Sequence, residues 1–447
     1  MLPFLDREHS IAKPGFSRWL VPPAALAIHL SIGQVYAFSV FKNPLLALKD
    51  ADGSAWSLKE VGYIFSIAIA VLGLSAAVFG KWLEKEGPRK AMFVSATCFS
   101  VGFIVAAGGA VWHSLPLIYL GYGVIGGVGL GVGYISPVKT LIRWFPDRPG
   151  LATGLAIMGF GGGAMIGSPL GTRLMAFYKI SGYQPIAAAW ITMGILYFIF
   201  MMFGVFTIRV PQEGWKPAGW VPNTNKSALI SSHNVEVNTA FGTPQFWLVW
   251  VVLCMNVTAG IGILEQASPM IQDLFKGHVS PTAAAGFVGV LSLFNMGGRF
   301  FWASTSDYIG RKPTYMIFFV AGAVLYWLLP HLGSVPLFVL VAGLLLSMYG
   351  GGFSTIPAYL KDLFGDYNVS AIHGRLLTSW SVAGIVGPLI VNGILDHYVA
   401  QHIPKDQAYP IILHIMAGLL VVGFLANLLI RPVAEGYWIK MPATAKV

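Results

Sequence analysis

Apolar residues run along this chain in blocks of roughly 20, the length that crosses a bilayer as helix, and short polar stretches separate the blocks. The blocks fall at about 19–41, 59–80, 91–112, 116–137, 150–172, 185–208, 245–265, 282–304, 314–331, 335–357, 373–394 and 409–430. This predicts an all-α integral membrane protein with twelve transmembrane helices. Six spans precede and six follow a polar stretch from Arg209 to Gly242 that is rich in Pro, Gly, Asn and Ser, the composition of a linker. The predicted organisation is a six-helix bundle over 1–208, a cytoplasmic linker over 209–243 and a second six-helix bundle over 244–447. Thr243-Pro244 has the form of a helix cap followed by a first-turn proline. The first 17 residues hold Asp6, Arg7, Glu8 and Lys13 without an apolar core, so they read as a short tail, with span 1 as the insertion signal.

Composition agrees. Of 447 residues, 56% are hydrophobic and 10% charged, and the mean hydropathy is +0.70, values that suit lipid rather than water as the surrounding solvent. The basic residues fix orientation. With the N-terminus inside, twenty of the 28 Lys and Arg lie on cytoplasmic segments, among them Lys81, Arg89, Lys139, Arg143, Arg209 and Arg311, against seven outside. Both termini and the linker are therefore expected in the cytoplasm, and the net charge of +10 sits beside anionic headgroups. Basic patches interleaved with aromatics, as nucleic-acid binding needs, are absent. Cys98 and Cys254 lie far apart in apolar runs and read as packing residues, neither disulfide nor metal cluster.

Two polar loops repeat one pattern. Gly80-Lys81-Trp82-Leu83-Glu84-Lys85-Glu86-Gly87-Pro88-Arg89-Lys90 and Ala303-Ser304-Thr305-Ser306-Asp307-Tyr308-Ile309-Gly310-Arg311-Lys312 each place an acid three residues before a Gly and then a basic pair. An acid at a helix end, a Gly able to take positive φ and basic residues opening the next helix make a polar latch between adjacent spans. Glu84 with Arg89 and Asp307 with Arg311 are the expected latch residues. This pattern resembles the loop motif of the major facilitator superfamily, found between spans 2 and 3 and spans 8 and 9. The first copy departs from it at Glu84 and Pro88, the second at Ala303 and Tyr308. The resemblance implies two bundles around a midplane cavity.

A narrower resemblance rests on three segments. Gly131-Val132-Gly133-Tyr134-Ile135-Ser136-Pro137, then Arg143-Trp144-Phe145-Pro146-Asp147-Arg148-Pro149-Gly150-Leu151-Ala152-Thr153-Gly154, and Asn295-Met296-Gly297-Gly298-Arg299 look like the oxalate/formate antiporter family, related to monocarboxylate transporters. The resemblance covers nearly the whole chain. It implies a carrier of small carboxylates such as oxalate, formate, lactate or pyruvate, in a plasma membrane, the inner membrane of a bacterium, working as a monomer.

Arg299 leads the candidate residues. It lies eight residues, about 12 Å of helix, before Asp307, where an unpaired guanidinium costs several kcal/mol. Its fork matches a carboxylate bidentately; the alternative is an Arg that snorkels toward the loop or ties span 8 to a carbonyl. Asn295, one turn away on the same face, orients substrate but carries no proton. Where oxalate-exchanging members have Lys in span 11, this chain has Thr378-Ser379-Trp380-Ser381. One cation with an aromatic wall favours a monocarboxylate over the dianion. Tyr134 and Tyr349 resemble the family's cavity-lining tyrosines, or are packing residues.

In span 1, His29 and Tyr36 share a face two turns apart, with Gln34 pointing elsewhere; at most one of these polar sets faces the cavity. His29 either titrates there or hydrogen-bonds a neighbouring helix. Glu265 is a proton acceptor if it faces the cavity, and a wetted acid at the outer mouth if span 7 ends earlier. The Gly runs of spans 4 and 5 match nucleotide-binding strings by letter but follow no strand, so they read as close helix packing. No catalytic spacing, cofactor motif or ATP-binding motif occurs, so a transporter would draw on a gradient, with protons as candidate partner ions. A membrane sensor on a transporter fold, or a carrier of another small molecule, remains the alternative.

Overall fold

The computed structural model describes residues 3–49, 53–220, 229–231 and 233–439, with the side chains of Asn43, Leu58, Glu265, Pro281, Thr282 and Ala285 outside the description. Part of the expected linker, 221–228 and 232, therefore lies outside the described residues.

Each apolar run forms a helix. Spans 1 to 6 are Arg18–Ala37, Leu58–Glu86, Pro88–Val111, Leu115–Trp144, Pro149–Ile180 and Pro185–Thr207. Spans 7 to 12 are Pro244–Leu274, Pro281–Ile309, Arg311–Leu328, Val335–Phe364, Val369–Ala400 and Ala408–Leu429. Eleven described segments are long and apolar enough to cross a membrane by length and composition. Span 8, a 29-residue helix over Pro281–Ile309, completes twelve.

Helix ends follow local chemistry. Ser57 and Glu60 form a capping box at the start of span 2, and the Thr243 side chain accepts from Phe246 N at the start of span 7. Gly87 and Gly310 both close their helices at φ 90°, a conformation that a Cβ would strain, and Pro88 then opens span 3 as a first-turn proline. Several helices outrun the apolar runs that announced them. Span 7 continues to Leu274, so Glu265 lies within the helix and not at its end, although its side chain is not described.

Spans 1 to 6 pack among themselves, as do spans 7 to 12. The sets meet along span 2 against span 11 and span 5 against spans 8 and 10. Two spans of the first set depart from regular α geometry. Span 1 tightens into a 3-10 segment over Gly33–Ala37, and span 4 carries a π segment over Tyr119–Ile125, local distortions that recur at functional sites.

Candidate functional site

Arg299 is fully buried at the junction of the two sets. Its Nε donates to Asn295 Oδ1 at 3.0 Å, while Nη1 and Nη2 have no hydrogen-bond partner. The guanidinium lies 5.5 Å from the Phe160 ring centroid and 5.0 Å from that of Phe353, contacts that compensate a cation only in part. Glycine makes room for it: a Cβ at Gly161 would stand 3.1 Å from Arg299 Nε, and one at Gly350 would stand 3.1 Å from Arg299 Cγ. Ser354 Oγ donates to the Arg299 carbonyl at 2.7 Å and ties span 8 to span 10.

Aromatic side chains from both sets pack around this position. The Trp380 ring lies 5.3 Å from Tyr134, 5.2 Å from Phe160 and 4.4 Å from Phe353. The Tyr134 hydroxyl and Trp380 Nε1 are buried without partners. His29 Nε2 bonds the Tyr134 carbonyl at 3.1 Å; a carbonyl only accepts, so Nε2 holds a proton, and Nδ1 is left without a partner. Tyr36 and Tyr349 join across the two sets through their hydroxyls at 2.9 Å. By residue count along their helices, this pair lies further from the cytoplasm than Arg299. The cluster offers an anion an unpartnered guanidinium fork, with phenol and indole donors around it and apolar rings excluding water.

Among the predicted site residues, the structure gathers Arg299, Asn295, Tyr36, Tyr134, Tyr349, Trp380 and His29. Gln34 sits apart. Its Oε1 accepts from the Tyr122 hydroxyl at 3.4 Å and its stem packs at Gly167, inside the first set. Phe160, Phe353 and His373 escaped sequence reasoning. The two phenylalanines are apolar residues in apolar helices and carry no signal. His373 was visible as a lone imidazole at the start of span 11.

The latch differs from its sequence expectation in one copy. Asp307 pairs with Arg311 Nη2 at 2.6 Å as expected, and it also accepts from Gly150 N and Leu151 N, both at 2.8 Å. It thus caps span 5 of the other set. Glu84 does not pair with Arg89. It pairs with Lys139 and accepts from Ser370 N at 3.1 Å, capping span 11 of the opposite set. Arg89 instead donates to the carbonyls of Phe4, His9 and Ile208 at 2.9, 2.9 and 3.1 Å, fastening the N-terminal segment to the end of span 6. Carboxylates at helix N-termini are favourable for both charge and hydrogen bonding, so the two acids form a reciprocal clasp that closes the cytoplasmic side.

Among the described residues no group of three His, Cys, Asp or Glu is placed to hold a metal ion. Two helix sets meeting around a buried, unsatisfied cation, clasped at one membrane face, define a helical membrane carrier with a central site. The chain belongs to the Major Facilitator Superfamily, whose sequence model matches residues 15–388 and 267–438. It is accordingly a multi-pass membrane transporter and not an enzyme. It is 27% identical to the oxalate:formate antiporter of Oxalobacter formigenes over 83% of each chain. It is 23% identical to apicoplast pyruvate carrier 1 of Toxoplasma gondii over 84% of this chain and 78% of that protein, and 23% identical to monocarboxylate transporter 1 of Rattus norvegicus over 83% and 77%. In fold it resembles the human organic anion transporter TETRAN, with TM-score 0.66 at 14% identity over 93% of this chain and 100% of that one. It likewise resembles the Escherichia coli fucose:proton symporter, with TM-score 0.60 at 14% identity over 92% and 99%.

Proposed function

We propose that this protein carries a small carboxylate across a plasma membrane by alternating access, and that a monocarboxylate such as lactate, pyruvate or formate is preferred over oxalate. The bundles 1–208 and 244–447 rock about the central Arg299 site, joined by 209–243, and the movement is coupled to anion exchange or proton symport. The observation that carries this reading is the Arg299 fork, fully buried with both terminal nitrogens unpartnered. A carboxylate supplies two oxygens at the spacing of those nitrogens, and the aromatic wall takes a small apolar body. Charge supports the monoanion. Among the described residues the other buried arginines are Arg89 and Arg311, both engaged at the cytoplasmic ends. The relatives whose names specify oxalate and formate, or pyruvate, are consistent with a carboxylate cargo.

The test is uptake of labelled lactate, formate and oxalate into proteoliposomes, with and without an imposed pH gradient, for the native chain and Arg299→Lys. Monocarboxylate uptake should exceed oxalate uptake. Replacing the fork by a point charge should lower kcat/KM about 100-fold, the equivalent of ~3 kcal/mol for a lost charge-assisted bond. Stimulation by the gradient means symport; indifference to it, with acceleration by internal anion, means exchange. Native-level transport by Arg299→Lys refutes the site.

A further inference from the structure

His373 is fully buried near the cytoplasmic start of span 11, and neither ring nitrogen has a hydrogen-bond partner. Its ring centroid lies 5.9 Å from that of Tyr134, which belongs to the opposite helix set. The residue therefore faces the seam along which the sets separate. Trp380 follows His373 by two turns on the same side of the span and packs on the same Tyr134 ring at 5.3 Å. Ser370 precedes it by one turn, and its hydroxyl is also buried without a partner. A line of unsatisfied polar groups thus leads from the Arg299 site to the cytoplasm: the Tyr134 hydroxyl, the His373 imidazole and the Ser370 hydroxyl.

Buried polar groups without partners are uncommon and costly, and three in file along one seam need a reason. The closed clasp supplies it. Glu84 accepts from Ser370 N at 3.1 Å, so the movement that parts Glu84 from span 11 is also the one that uncovers Ser370 and His373. These groups gain partners only when the cytoplasmic side opens. We propose that His373 and Ser370 form a cytoplasmic relay site for the substrate carboxylate, contacted only in the inward-open state. A neutral imidazole donates one N–H and the serine one O–H to the anion, which holds it between Arg299 and bulk water. The proposal rests on the carboxylate reading of Arg299 and adds a second, state-dependent contact.

The experiment compares KM for labelled lactate from each face, using inside-out and right-side-out vesicles of the full-length protein. His373→Leu should raise KM at the cytoplasmic face about tenfold and leave the outer-face value within about twofold, as loss of one hydrogen bond to a charged group predicts. His373→Gln, which keeps a donor, should recover most of that loss, and Ser370→Ala should raise the cytoplasmic KM about threefold. Should His373→Leu fail to assemble, His373→Gln and Ser370→Ala still carry the comparison. Equal shifts at both faces indicate packing alone and overturn the relay, as do unchanged cytoplasmic values or a Gln variant no better than Leu. The Arg299→Lys arm is read separately. Arg299-independent transport with a sided His373 effect overturns the Arg299 reading alone, whereas symmetric His373 effects with Arg299 dependence intact overturn the relay alone.

Discussion

Replacing Asp307 by Asn should loosen the cytoplasmic clasp by an amount the structure allows to be worked out. The carboxylate is 9% exposed, accepts two backbone N–H groups of span 5 at 2.8 Å and holds Arg311 at 2.6 Å. Hydrogen bonds to a charged acceptor contribute about 1.5–3 kcal/mol each, against about 1 kcal/mol for a neutral one. Asn keeps one neutral acceptor oxygen, and Arg311 keeps Asp362 at 3.2 Å and Ser306 at 2.5 Å. The net loss to the cytoplasm-closed state is then about 2 kcal/mol, or roughly 30-fold in its equilibrium with the open state. The assay is the labelling rate of a cysteine placed at Ala371, which is 2% exposed and packs against Gly80 of the other set. A cytoplasmic maleimide reaches it only through the open state, so while the closed state dominates, the rate tracks the opening constant. An unchanged or slower rate in Asp307→Asn would refute the clasp.

Glu84→Gln should act in the same direction but less strongly, about tenfold in labelling rate, because Glu84 holds one backbone N–H of the other set where Asp307 holds two. Tyr349→Phe removes the 2.9 Å hydroxyl bridge to Tyr36, a neutral bond of about 1 kcal/mol, and should raise the labelling rate of a cysteine in the outer vestibule about fivefold; Tyr36→Phe should match it, since both delete the same bond. Arg89→Ala leaves three carbonyls without their donor and should destabilise the fold by about 2–4 kcal/mol, seen as a lower melting temperature in detergent, with lactate KM unchanged in the protein that remains folded.

The sequence announced its helices because lipid demands long apolar runs that satisfy their own backbone, and it announced Arg299 because a cation inside such a run is costly unless it is paired or faces water. It announced the latch acids but misassigned a partner. Glu84 reaches Ser370 N and Lys139, Arg89 reaches three carbonyls, and a backbone N–H or C=O is the same at every residue, so no pattern of side chains could mark which ones were meant. Spacing in span 1 carried further: His29 and Tyr36 were expected on one face with Gln34 turned elsewhere, and although Gly33–Ala37 tightens into a 3-10 segment, Gln34 meets Tyr122 while Tyr36 reaches Tyr349. Phe160 and Phe353 are legible only in three dimensions, since nothing separates them in sequence from phenylalanines that face lipid.

The buried Arg299 guanidinium also bears on which mode of coupling the proposed carrier favours. Between its two open states a rocking carrier passes through a form closed at both faces, and in the present structure the Arg299 fork is buried with neither terminal nitrogen partnered. An unpaired cation at membrane depth costs several kcal/mol, whereas one paired with a carboxylate is largely relieved. If that cost falls on the closed form, the loaded carrier crosses it more easily than the empty one. Even 2 kcal/mol of difference slows empty return about 30-fold relative to loaded return, and return is then accelerated by a second carboxylate on the far side. Lactate trapped inside proteoliposomes should therefore stimulate uptake of labelled lactate at least tenfold in the native protein. Uptake that is equally fast into empty and loaded vesicles, at matched pH on both sides, would show that Arg299 crosses unpaired without penalty and would remove the basis for exchange.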